Sequence, residues 1–477
     1  MLGPGRYGEY AFLVNAAAVG AVFLSMGFPE TLMRYVSLLF AQGAIPQVRF
    51  LVRRLVLVRL ISYAAGIGLL AAFHSVGRAL QLPLVDHYWA AIGGLLVSQG
   101  AIEFATSYAY ARLQSRDVAV ARTVGQIVAL IFFGAMVTVG RTDVVTAALT
   151  TVISYLLASA LLVTRGLGGV LVRGTEQRLP LRPIAGFAIG VWAATLFTIG
   201  LAGQIDVILL GALRHDVVQI ALYSVATLVF VKLGLLLGGW AGTGTSSFAD
   251  IHARRGPAGS GRLLLVYVRL SVLISLLVYP PIIILSDQIT RRVFGPSYAP
   301  ASGLMAVFGS FWLLSSFLAA GIPLSFLLAL GRQRQVLIIR GLTGALNIIL
   351  DVVLIPPLGA LGAIIATGSA NVLAHISDFV FAARSVNVAF PWLFAIRVAA
   401  AAAIGAIPGA LLRPHDLTGS VAAAVLYVGL YCGALLVLRP LGPADVELAA
   451  RLGPRIASVT RRLAGGADST TETRRHN

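Results

Sequence analysis

The sequence predicts an all-α polytopic membrane protein, and three observations carry that expectation: composition, the recurrence of long apolar runs, and the placement of arginine. Its 477 residues are 58% hydrophobic and 11% charged, with a mean hydropathy of +0.90, which lies outside the range of soluble domains of this length. Apolar runs of roughly 18 to 25 residues follow one another from end to end, each long enough to cross about 30 Å of hydrocarbon as a helix. A helix satisfies its own backbone hydrogen bonds inside lipid, whereas an open sheet leaves its edges bare. The roughly ten-residue alternation of an outer-membrane barrel is absent.

Taken in order, the runs place thirteen spans at about 9–28, 55–73, 88–110, 119–139, 143–163, 184–211, 218–240, 262–285, 302–328, 334–354, 360–383, 391–411 and 418–438. The connections are short and leave no room for a folded extramembrane domain, so any activity resides among the helices or at their ends. The expected organisation is an N-terminal lobe over 1–175, a C-terminal lobe over 176–388, two extra helices over 389–440 and a basic, disordered tail over 441–477.

The formal net charge of +18 invites a nucleic-acid reading, but the arginines alternate loop by loop. Arg34, Arg49, Arg53, Arg54 and Arg59 flank the first connection, Arg112, Arg116 and Arg122 the third, and Arg165, Arg173, Arg178 and Arg182 the fifth. Arg254, Arg255, Arg262 and Arg269 mark the seventh, Arg332, Arg334 and Arg340 the ninth, and Arg384 and Arg397 the eleventh. The even connections hold Arg78, Arg141, Arg214, Arg291 with Arg292, and Arg413. This positive-inside bias sets the odd connections and the C-terminus in the cytoplasm. Membrane lipid headgroups, and not nucleic acid, are then the partners of the charge. Met1 falls outside without a signal peptide, because the first residues are too polar for an apolar signal core, so a fourteenth span is expected upstream.

Few constellations carry chemistry. Cys432 is the single cysteine and the seven histidines do not cluster at ligand spacing, so no metal and no cofactor is expected. Lys232 is the only lysine, which rules out a GxxxxGK[ST] phosphate loop, and no G-x-S-x-G elbow occurs. The expectation is a transporter, not an enzyme. Internal repetition points the same way. The stretch 5–14, with Tyr10, is echoed by 217–226, with Tyr223; each leads into a small-residue-rich span and then a basic connection, at Gly43 and at Gly256.

Several stretches together resemble one family. LeuGlyProGlyArgTyrGlyGluTyr (2–10) is similar to the turn closing that family's first helix, and GlyPheProGluThrLeuMetArgTyrVal (27–36) to the exit of its second. AspValIleLeuLeuGly (206–211) followed by LeuTyrSerValAla (222–226) resembles the start of the second half. ValPheGlyProSerTyrAlaProAla (293–301), AlaLeuGlyArgGlnArg (329–334) and IleProProLeuGlyAlaLeuGlyAlaIleIleAlaThr (355–367) complete the set. Over about residues 1–440 the chain resembles the polysaccharide exporters, or oligosaccharide-lipid flippases, of the multidrug, oligosaccharidyl-lipid and polysaccharide superfamily. The resemblance implies a two-lobed, MATE-like bundle of fourteen helices, thirteen of them present. It implies a monomeric carrier in the bacterial inner membrane that moves an undecaprenyl-pyrophosphate-linked sugar to the outer leaflet, alongside a polysaccharide polymerase.

Charges inside spans are the candidate site residues, because they are costly in hydrocarbon and face an interior or a wet cavity. Lys232 lies about fourteen residues into its span, near the midplane, and is the first candidate to meet the diphosphate; snorkelling to the headgroups is the alternative. Arg34 occupies a basic position of the exit motif and could guide the headgroup, with positive-inside anchoring as the alternative. Asn371, His375 and Asp378 share a face of one helix and join the substrate-binding candidates, although helix-to-helix hydrogen bonding explains such a stripe equally. Asp206 is a candidate both for substrate and for ion coupling; Glu103 and Asp351 are candidates for coupling. Asp206 and Asp351 fall toward the outer ends of their spans, where an interfacial cap is the competing role. Structural pairing competes for Glu103, with Arg112 farther along the same span, and for Asp378, which precedes Arg384.

A cation-coupled multidrug exporter of the same superfamily is the alternative function, for which a deep carboxylate in the first half is expected. A membrane polysaccharide polymerase or ligase is another, for which a long outer loop with catalytic arginines or histidines is expected.

Overall fold

The computed structural model describes residues 2–76, 83–167, 170, 174–199, 203–237, 239–318, 321–412 and 416–441. The tail expected to be disordered, and Arg78, Arg173 and Arg413 of the charge pattern, lie outside the described residues. Among the described residues every regular element is a helix. In chain order the helices of eight residues or more are α1 Pro4–Ser25, α2 Ile45–Val76, α3 Pro83–Ala111, α4 Ser115–Thr138, α5 Val144–Leu162, α6 Leu181–Ile199, α7 Gln204–Arg214 and α8 Val217–Leu237. They continue with α9 Gly239–Ile284, α10 Ala301–Phe317, α11 Ile322–Ala329, α12 Gln333–Leu358, α13 Ala360–Val386, α14 Trp392–Leu412 and α15 Leu417–Leu438.

Among the described residues eleven stretches are long and apolar enough to cross a bilayer. The all-α membrane class read from the sequence is the class the chain adopts. Two of the expected spans fall outside that eleven: 88–110 lies within α3, which carries Asp86 and Glu103, and 184–211 is divided between α6 and α7. The connection expected around Gly256 is a single-residue interruption of α9 (φ 63°, ψ −164°), followed at once by Pro257.

Breaks in the helices follow from backbone chemistry. Met26 and Gly27 both take left-handed conformations and end α1, and a Cβ on Gly27 would overlap the Ala188 carbonyl of α6, so only glycine fits. The carbonyls freed there are taken by side chains: Trp192 Nε1 donates to Val22 O at 3.1 Å and Arg59 Nη1 to Leu24 O at 3.2 Å. Beyond the break, a turn at Phe28–Thr31 and a π-helical turn at Leu32–Val36 carry Arg34.

The chain divides into two compact units, Met1–Ser224 with Gly344–Thr367, and Val225–Thr343 with Gly368–Asn477. In the first, Leu32, Val48, Leu51, Val52 and Tyr108 belong to one apolar core. In the second, Phe248, Leu264, Val268, Phe326 and Leu327 form one core, and Val272, Val398, Tyr427 and Tyr431 another. The latter ties α14 and α15 to α9. Pro280 has no N–H, so the carbonyl of Leu276, four residues back, loses its helical donor. Tyr427 of α15 donates its hydroxyl to that carbonyl, and Tyr431 donates to Leu273 O at 2.9 Å.

Candidate functional site

Five polar side chains converge within the first unit. Gly203, with φ 75°, separates α6 from α7, and Asp206 stands in the first turn of α7, near the positive end of that helix. It lies roughly 12 Å along the axis from Arg214, at 1.5 Å per residue. Asn347 and Asp351 are one turn apart on α12, so they share a face. Tyr223 comes from α8 and Thr367 from α13. Asp206, Asn347 and Asp351 are fully buried, and Tyr223 and Thr367 nearly so.

The Tyr223 hydroxyl donates to Asp206 Oδ2 at 2.5 Å, and the Thr367 hydroxyl donates to the same oxygen. The Asn347 amide bridges the two acids, donating to Asp206 Oδ1 at 3.2 Å and to Asp351 Oδ2 at 3.3 Å. Asp351 Oδ1 is buried and has no hydrogen-bond partner among the described residues. Among the described residues no Lys, Arg or His forms an ion pair with either carboxylate. Neutral donors solvate charge but do not cancel it, and two uncompensated carboxylates inside hydrocarbon need a proton between them or a cation beside them. The oxygens within reach, two carboxyls with an amide and two hydroxyls, suit a small hard cation better than a metal that prefers nitrogen or sulfur. The sequence places both acids toward the outer ends of their spans; the helices run on to Arg214 and Leu358, and both acids are interior.

A second cluster belongs to the second unit. Arg340 Nη2 bonds Asp378 Oδ2, with side-chain exposures of 9% and 1%, and His375 Nδ1 stands 3.9 Å from the same oxygen. Asp378 therefore pairs with α12 and not with Arg384 of its own helix. Glu103 shows the same pattern: its partner is Arg59 at 2.6 Å, not Arg112. Arg59 also lies over the Tyr63 ring, while Arg112 faces the rings of Phe40 and Tyr108. The charge pattern counts Arg59 and Arg340 with the arginines of the connections; the fold buries both.

The other candidates join neither cluster. Lys232 is exposed on α8 and makes no hydrogen bond or ion pair with a described residue. Arg34 is exposed, with its guanidinium 4.5 Å above Phe187 and 5.7 Å from Tyr35. Asn371 is half-buried on α13. Asn347, Thr367 and the role of Tyr223 are not foreseen in the sequence, although the Asn-x-x-x-Asp spacing on an apolar helix was the available signal.

No family model matches the chain, and no curated protein matches it. Solved structures do. An inward-facing multidrug-resistance MATE family transporter of the MOP superfamily aligns with a TM-score of 0.64 at 14% identity, covering 81% of this chain and 96% of its own. The lipid II flippase MurJ, in an inward closed conformation, aligns with a TM-score of 0.64 at 13% identity, covering 91% of this chain and 96% of its own. A MATE structure in a bent conformation gives 0.56 at 15%, covering 80% and 93%. The chain thus has the fold of MOP-superfamily transporters and flippases.

Proposed function

We propose that this chain is a cation-coupled flippase that moves an undecaprenyl-pyrophosphate-linked oligosaccharide across the bacterial inner membrane by alternating access. One observation carries the coupling: two buried carboxylates, Asp206 and Asp351, joined by Asn347 and, among the described residues, without a paired cationic side chain. A transient proton or small cation supplies that charge, and its binding changes how α7, α8, α12 and α13 hold together. The broken helix favours this role, since α7 offers the free end of a half-helix beside Asp206.

Lipid-linked sugar as the substrate is supported by the resemblance of several stretches to oligosaccharide-lipid flippases. It is supported also by the MurJ alignment, which covers 91% of the chain where the first MATE transporter covers 81%. Glu103, the acid the sequence offers within a span of the first half, is engaged by Arg59 at 2.6 Å, which weighs against its serving as the coupling carboxylate expected for a drug exporter. Lys232 and Arg34, both exposed and without an acidic partner among the described residues, are the proposed contacts for diphosphate. The C-terminus is placed in the cytoplasm on the arginine pattern, and a polysaccharide polymerase is the proposed functional partner.

The experiment is surface-polysaccharide display in cells relying on this chain. Lys232→Ala is expected to abolish display at an unchanged protein level, and full display would remove Lys232 from substrate handling. Drug resistance conferred by the chain, with no effect of its deletion on display, would favour the multidrug alternative.

A further inference from the structure

We propose that His375, Asp378 and Arg340 form a proton-binding site in the second compact unit, distinct in its residues from the Asp206 and Asp351 cluster. It rests on polar atoms that the fold buries and leaves idle. Asp378 is fully buried; its Oδ2 accepts from Arg340, and its Oδ1 has no partner. His375 follows the same face of α13, and its Nδ1, 3.9 Å from Asp378 Oδ2, is beyond hydrogen-bond reach and equally buried without a partner. An ion pair built only to tie α12 to α13 needs Arg340 and Asp378. It accounts neither for the imidazole nitrogen beside the carboxylate nor for the open second oxygen.

Unpartnered buried polar atoms are costly and uncommon. A proton on the imidazole makes Nδ1–H a charged donor beside the carboxylate, and a small rotation of either side chain closes the 3.9 Å to Oδ2 or brings the idle Oδ1 round to accept it. The proton enters from water and returns to it, no covalent bond between heavy atoms changes, and the formal charge of the three groups passes from zero to plus one. Asp378 then serves two cationic donors, one from its own helix and one from α12, so the hold of Arg340 on α13 is divided.

Among the described residues no other titratable group is paired with Asp378 or His375, and Arg262 of α9 and Arg332 ahead of α12 are exposed. On α12 the remaining charge near this end, Arg334, is exposed. On α9, Tyr267 joins the apolar core beside Phe248, His252 is bonded to Ser260, and Arg269 lies over Phe394. The segment α11 carries no titratable side chain, and on α13 itself Arg384 is exposed, six residues beyond Asp378. Histidine is the side chain whose charge in water changes between about pH 5 and 8, which sets the range of the test.

The test is thermal unfolding of the purified full chain in detergent between about pH 5.5 and 8, compared with His375→Gln. An imidazole that binds protons equally in folded and unfolded chain leaves no pH dependence in stability. The Tm advantage of the native chain over His375→Gln is expected to grow by at least about 1 °C as the pH falls from about 8 to about 5.5, as it must if the folded chain holds this proton more tightly than the unfolded one; parallel profiles, or an advantage that shrinks in acid, overturn the proposal. The paired replacement Arg340→Gln with Asp378→Asn removes both charges together, and adding His375→Gln to it is expected to give parallel profiles. A change there as large as in the native background would show that His375 titrates without these partners, and would also overturn the proposal. Any consequence for transport rests on the proposed function. A Tm difference that persists while flipping shows no pH response keeps the proton site and removes it from the carrier cycle.

Discussion

Removing the hydroxyl of Tyr427 isolates one bond in the seam between α15 and α9. Because Pro280 cannot donate, the Leu276 carbonyl depends on Tyr427, which is fully buried with its ring stacked 5.9 Å from that of Tyr431. A hydrogen bond of this kind contributes about 0.5–1.5 kcal/mol net in folded proteins. Side-chain bonds between membrane helices average about 0.6 and reach about 1.7 kcal/mol. Leaving the buried carbonyl without a donor adds to the loss, so Tyr427→Phe is expected to cost about 1–2 kcal/mol. Pro280→Ala restores an N–H four residues after Leu276. In that background the same Tyr427→Phe change is expected to cost less than about 0.5 kcal/mol, a coupling of about 1 kcal/mol between the two positions. Denaturant unfolding of the four proteins in mixed micelles measures the cycle. An equal cost of Tyr427→Phe in both backgrounds would refute the assignment and leave Tyr427 as packing alone.

Other expectations follow from the remaining polar contacts. Glu103→Gln strands Arg59, whose side chain is 6% exposed, and is expected to cost about 2–3 kcal/mol, less than a fully buried pair because Glu103 itself is 34% exposed; replacing both by leucine should cost less than Glu103→Gln alone, as read by unfolding in micelles. Asp143 caps the N-terminus of α5, where the Thr146 backbone N–H at 2.6 Å holds its carboxyl below the usual carboxylate range. Asp143→Ala should cost about 0.5–2 kcal/mol at neutral pH. Since the folded carboxyl is the more acidic, that contribution is complete above about pH 4 and fades as the pH falls further, so melting curves of the two proteins should converge in acid. Gly27→Ala, which forces a side chain into a left-handed turn against the Ala188 carbonyl, is expected to lower the yield of folded protein in size-exclusion profiles.

Much of the fold is legible in the sequence because lipid imposes one rule on every span. A run of about twenty apolar residues has no alternative to a helix, so eleven of the thirteen expected spans coincide with helices long and apolar enough to cross. The two that do not are where polar residues serve another purpose: α3 carries Glu103 for Arg59, and the stretch 184–211 breaks at Gly203 ahead of Asp206. The site was legible only in part. Asp206, Asp351, His375 and Asp378 stand out as charges in apolar surroundings, but what each one touches depends on helix-to-helix register, which spacing along one chain does not encode. Same-helix neighbours therefore suggest Arg112 for Glu103 and Arg384 for Asp378, while the actual partners, Arg59 and Arg340, come from adjacent helices and read in the sequence as loop arginines. Asn347 and Thr367 escape notice for a plainer reason: uncharged polar residues are common in membrane helices, and only convergence distinguishes them.

Coupling through the Asp206 and Asp351 pair is tested most directly in vesicles containing the purified chain and a fluorescent polyprenyl-diphosphate sugar, with transfer between leaflets followed under an imposed sodium or proton gradient. The native chain is expected to transfer the lipid at a rate that depends on one of the two gradients. The double replacement Asp206→Asn with Asp351→Asn, which keeps the volume and much of the hydrogen bonding, is expected to lose that dependence and at least about tenfold in rate, the equivalent of 1.4 kcal/mol. Transfer that proceeds at the native rate and responds to the gradient as before in the doubly substituted chain would contradict the account.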